Sequence, residues 1–221
     1  MTPLALADDA LVAAQRLSDW VARAPSLEED VALANIALDQ LGVARLYLQS
    51  LGDEDELAYR RGDADFRNCL LVELPLGRYR GDLDFGFTMA WLLFLAAAQQ
   101  IRYTELASEG DGVAAKAVKE STYHLDHASL WAVRLGNGTD ESRQRFQDAV
   151  DNYWPYTHEL ADGISDRWLA VVEPILVEAT ITRPADGWMP SGGRDGRHTE
   201  HLSYLLAEMQ SLHRAHPGVT W

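Results

Sequence analysis

Glu120 and His124 stand four positions apart in the run Lys119-Glu120-Ser121-Thr122-Tyr123-His124-Leu125-Asp126-His127. On a helix of 3.6 residues per turn these two side chains share a face, with His127 close behind, so a carboxylate and an imidazole are offered together. Bundles that hold a carboxylate-bridged pair of irons use Glu-x-x-His twice, because at i and i+3 both ligands converge on one metal. They add a glutamate from each remaining helix. No Glu-x-x-His occurs in the 221 residues. The i, i+4 spacing found instead is that of an ordinary hydrogen-bonding pair on a helix. Asp39 and Glu73 could stand where bundle carboxylates would, and each reads equally as a buried or rim acid. His198, Glu200 and His201 open the last helix, and two histidines at i, i+3 without further spaced ligands make a weak zinc pattern. The di-metal-like positions Glu73, Glu120, His124 and His201 are expected to be empty. The alternative is a self-sufficient, divergent di-metal carboxylate oxidase built on those four residues.

Other chemistries find no support. There is no Gly-x-Gly-x-x-Gly, no phosphate-binding P-loop and no Gly-x-Ser-x-Gly elbow. Cys69, the lone cysteine, sits in Asn-Cys-Leu-Leu-Val and reads as a buried inert thiol that cannot form an internal disulfide.

The elements that must carry these residues are helices. Leu6, Ala10, Ala13, Leu17 and Trp20 recur on one face of a first helix over 5–24, ended by Pro25. Ser26-Leu-Glu-Glu29 is a capping-box pattern opening a second helix to about Leu51. Its stripe of Leu27, Val31, Ala34, Leu38, Leu41 and Leu48 is expected to pack in the core. Two shorter helical pieces lie between Asp53 and Leu74. A central helix over 82–107 contains Phe85 to Ala98, apolar on nearly all sides yet shorter than the ~20 residues that span a bilayer. Helices over 112–135, 140–161, 165–179 and 198–214 follow, with a Gly- and Pro-rich loop over 183–197. Neither an alternating strand pattern nor an internal repeat appears. The fold class predicted is all-α, an antiparallel helical bundle of about seven helices in one domain over 1–221.

A formal net charge of −15 with pI near 4.7 argues against binding nucleic acid or an anionic membrane, and favours a basic protein partner. The N-terminal Met-Thr-Pro-Leu-Ala-Leu-Ala-Asp-Asp lacks the positive start of a signal peptide, so a cytoplasmic location is expected.

Several blocks together carry a family resemblance. They are Val31 to Arg45 (VALANIALDQLGVAR), Phe66 to Glu73 (FRNCLLVE), Lys116 to His124 (KAVKESTYH), Arg134 to Asp140 (RLGNGTD), Gly192 to Leu202 (GGRDGRHTEHL), Leu206 to Gln210 and the terminal Pro217 to Trp221. In this order they closely resemble the PaaC-type structural subunit of bacterial phenylacetyl-CoA epoxidase, over essentially the whole chain. The resemblance implies a ferritin-like bundle that has lost its metal ligands and supports a catalytic A-type subunit. It implies no cofactor in this chain and a di-iron centre in the partner. In the family the assembled enzyme uses dioxygen and NADPH-derived electrons, passed through a reductase subunit, to epoxidise carbons 1 and 2 of the phenylacetyl-CoA ring. It also implies a border with the CoA-ester site, carried here onto Asp65, Phe66, Arg67 and Asn68, with Arg60 and Arg61 adding local positive charge. Family members are longer where this chain passes quickly through Ala161 to Asp166, so a ligand contact from that segment is not expected here.

Overall fold

Helix starts follow the capping residues. The computed structural model describes residues 1–219; Thr220 and Trp221, which end the last of the blocks above, lie outside the described residues. Its helices are α1 (Pro3–Ser18), α2 (Leu27–Leu51), α3 (Glu54–Tyr59), α4 (Leu70–Glu73), α5 (Phe85–Ser108), α6 (Gly112–Gly136), α7 (Asp140–Tyr153), α8 (Thr157–Leu160), α9 (Ser165–Glu178), α10 (Glu200–Met209) and α11 (Ser211–Ala215). Thr2, Ser26, Asp53, Asp84, Asp111, Thr139 and Thr199 each accept a backbone N–H from the first turn that follows, satisfying donors a helix start would otherwise leave orphaned. Seven of the helices run ten residues or more, and no strand occurs among the described residues. The chain is all-α, a bundle of long helices joined mostly by short turns.

Two compact units divide it: residues 1–74 with the segment from 191 onward, and residues 75–190. In the first, α1 packs against α2, α4 and α10. It is buried from Ala5 to Ala14 and again at Leu17. It ends at Ser18, earlier than the pattern suggested. Ser18 Oγ bonds back to the Gln15 carbonyl at 2.7 Å, Ala22 takes a left-handed φ of 63°, and Pro25 disfavours helix in the residue before it. Trp20 stays buried within the resulting turns.

α2 overturns one expectation. Of the stripe expected in the core, Leu48 is buried, whereas Leu27, Val31, Leu38 and Leu41 are exposed. The buried face carries Leu33, Ile36, Ala37, Gln40, Val43, Ala44 and Tyr47 as well. Apolar residues occupy more than half the circumference of this helix, so periodicity alone does not say which part of that arc faces the core. α2 is also the one described helix long and apolar enough to cross a membrane by length and composition.

In the second unit α5 is the centre, buried almost continuously from Gly86 to Gln99 and packed against α6, α7, α8 and α9. Trp168 donates its indole N–H to the Phe94 carbonyl at 3.0 Å, and Phe94, Trp154 and Trp168 form a ring cluster. The helix expected over 140–161 is interrupted at Pro155, which lacks an N–H and sits in a 3-10 turn over Trp154–Tyr156. Gly136, at the end of α6, lies against the Ala179 carbonyl with no room for a Cβ.

Candidate functional site

The polar centre of the first unit begins with two adjacent acids on an apolar helix. Asp8 and Asp9 of α1 are both buried, flanked by alanines, leucines and a valine. A buried carboxylate is tolerated only when paired and hydrogen-bonded, and each is. Asp8 receives both arms of the Arg61 guanidinium, at 3.0 and 2.5 Å, and the Arg67 backbone N–H at 2.8 Å. Burial pushes its carboxyl above the usual range despite the Arg61 pairing. Asp9 receives both arms of Arg194, at 2.8 and 2.7 Å, and the Cys69 N–H at 2.7 Å. Arg61 also lies over the Phe66 ring, 4.1 Å from its centroid.

Glu73, at the end of α4, has no exposed surface and is surrounded by donors. Asn68 Nδ2 gives it a bond of 2.9 Å, the Thr199 backbone N–H one of 2.8 Å and the Thr199 hydroxyl one of 2.7 Å. His198 Nδ1 lies 2.5 Å from Glu73 Oε1, and its Nε2 lies 3.1 Å from the Phe66 carbonyl. Both ring nitrogens therefore face acceptors, the arrangement an imidazolium satisfies. Burial pulls the His198 pKa down, but the hydrogen bond and charge of Glu73, the Phe66 carbonyl and Asp63 together hold it above the ordinary histidine value.

The Gly192 to Thr199 segment is held onto residues 61–73 by these bonds. Its glycines allow the approach. Gly193 lies against the Asn68 carbonyl, and Gly196, with φ of 80°, lies against the Ala64 carbonyl, so a Cβ at either would collide with backbone.

A metal does not fit Glu73. A cation needs lone pairs, whereas three donors, one from Asn68 and two from Thr199, point at it and His198 takes the position of a counter-charge. His201 lies near, half-buried, its backbone N–H on Thr199 Oγ1 at 3.3 Å. In the second unit, His124 is buried and Glu120 and His127 are half-buried along α6. Among the described residues no group of three or more His, Cys, Asp or Glu side chains is placed to hold a metal ion.

The four residues expected at a CoA ester divide by burial. Phe66 and Asn68 are wholly buried, Asp65 is exposed, and Arg67 is half-buried with its guanidinium on the Ala64 and Phe66 carbonyls at 2.8 and 2.6 Å. Arg61, expected to lend positive charge to a ligand, is instead committed to Asp8. Sequence reasoning missed Asp8, Asp9 and Arg194 as the residues that organise this region. The available signal was two consecutive aspartates inside an otherwise apolar helix.

The family model described as phenylacetic acid catabolic protein matches residues 2–166 and 160–221. The two matches overlap at 160–166, the short connection from α8 to α9. The C-type chain of the 1,2-phenylacetyl-CoA epoxidase of Escherichia coli strain K12 is 40% identical over 246 residues, covering 99% of this chain and 97% of the relative. That aligned length exceeds the 221 residues here, so the relative carries extra residues.

Proposed function

Because the chain belongs to the phenylacetic acid catabolic protein family, we propose that it is the non-catalytic structural subunit of a phenylacetyl-CoA 1,2-epoxidase. In this reading it pairs with a catalytic A-type subunit that holds the di-iron centre, and electrons reach that centre from NADPH through a reductase subunit. The carrying observation is Glu73. This carboxylate, one of the four di-metal-like positions, has both oxygens engaged by His198, Thr199 and Asn68. A cytoplasmic location fits this role, as does a single domain formed by both units, for which calorimetry should give one unfolding transition.

Asp65, Phe66, Arg67 and Asn68 are assigned to the border of the CoA-ester site. Asp65 and Arg67 would face the ligand, and buried Phe66 and Asn68 would fix the backbone that carries them. Arg67 carries the positive charge that suits a phosphate. Asp65→Ala and Arg67→Ala should raise KM for phenylacetyl-CoA more than they lower kcat.

Co-expression with the A-type subunit tests the main reading. A stable complex that carries iron and epoxidises phenylacetyl-CoA only when both chains are present is the expected result. Near-stoichiometric iron or manganese in the chain purified alone would overturn it in favour of a self-sufficient di-metal oxidase.

A further inference from the structure

The exposed side of α2 is apolar where a surface helix should be polar. Leu27 is 77% exposed, Val31 53%, Leu38 64% and Leu41 41%, and these four lie along one line of the helix. At 1.5 Å per residue that line is about 21 Å long, roughly four turns. Beside it, between α1 and α2, runs an open groove of about 360 Å³. Leu11, Ala14 and Val21 from α1 and its following turn, with Tyr59 and Met209, form its other wall. Contiguous apolar surface of this kind on a soluble protein marks an interaction site.

The charges bordering this face say what kind of protein covers it. Glu28 and Asp39 flank the stripe on one side of α2 and Asp30 on the other; across the groove Glu208 lies beside Met209, Asp19 is offset by Arg16 and Arg23, and Arg60, beside Tyr59, is paired with Glu56 at 3.9 Å, so the excess of acid lies on the α2 rim. Arg45, farther along the same line, is paired with Glu54 at 2.9 Å. A second copy of this chain would set one acidic rim against another, between molecules of net charge −15. A helix with its own apolar stripe and flanking lysines or arginines would meet both the groove and the rim.

The geometry points to the α1/α2 face as the docking site for a basic, amphipathic helix of another subunit. This rests on the reading of the chain as a subunit of a complex and names where that complex forms. Leu38 becomes the central anchor, buried on association in the way that interface centres are. Glu28 and Asp39 supply orientation and speed of encounter more than affinity.

The test measures binding of the full-length chain to the A-type subunit by titration calorimetry, with light scattering for size. Leu38→Glu should weaken binding about 30-fold or more, the loss of a hot-spot contact. Glu28→Lys with Asp39→Lys should weaken it about 10-fold and reduce its dependence on salt. Val177→Glu, at an exposed residue of α9, should leave binding unchanged. These substitutions lie on exposed or half-buried positions, and unaltered circular dichroism and melting confirm the fold; Val31→Glu serves if Leu38→Glu unfolds. Wild-type binding that persists in Leu38→Glu and Val31→Glu overturns the face assignment and leaves the subunit reading intact. No binding by the wild type overturns the subunit reading itself. A wild-type homodimer dispersed by Leu38→Glu overturns the choice of occupant.

Discussion

At Asp9 one carboxylate collects three N–H donors, two from Arg194 and one from Cys69, at 2.7 to 2.8 Å and with almost no contact with water. Removing one partner strands a buried charge. Arg194→Met should cost about 3–5 kcal/mol in urea unfolding, and adding Asp9→Leu to it should recover much of the loss, because replacing both partners removes the desolvation penalty with the pair. His198 gives a pH dependence of definite sign. Its pKa is raised in the fold, so its contribution is complete below the ordinary value of 6.5 and is lost as pH rises through the folded value. Stability measured from pH 6 upward should therefore fall, and His198→Gln should flatten that slope. The facing groups are Glu73 and Asp63, the latter held on Ser203 at 2.8 Å. At this scale the sequence displayed Glu73 and His198 as chemistry-bearing residues. It did not pair them, because they stand 125 positions apart and meet only in the folded chain.

Elements meet where glycine permits it. Gly193 lies on the Asn68 carbonyl and Gly136 on the Ala179 carbonyl, so Gly193→Ala and Gly136→Ala should each destabilise by about 1–3 kcal/mol, read as a lowered urea midpoint without a changed slope. The start of α2 was legible, since the Ser26 cap acts locally, and in the structure the connection after α6 closes by the same local means, as a reciprocal cap between Thr139 and Ser142. Two features were not. The ends of α1 and α7 depend on Ala22 turning left-handed and on Pro155 breaking an otherwise continuous pattern. The outward side of α2 depended on which apolar arc found a partner. Its Leu27 and Leu38 have the same hydrophobicity as buried Leu33 and Leu48, and differ only in what lies opposite.

For the molecule as a whole, a partner that binds only the folded state must raise its apparent stability. With the A-type subunit at 100 times its Kd, the gain should be about 2.7 kcal/mol, seen as a melting temperature that climbs with partner concentration. A melting temperature indifferent to that partner would argue against a permanent complex. The sequence by itself determined the all-α class, the long helices, the family and the absence of Glu-x-x-His, because these depend on local periodicity, capping and ligand spacing along one helix. Only the tertiary structure decided that Asp8, Asp9 and Glu73 are held by Arg61, Arg194 and His198, and that the leucines of α2 look outward. Both depend on which distant segments meet, and burial, not residue type, turns an aspartate into an anchor or a leucine into a surface.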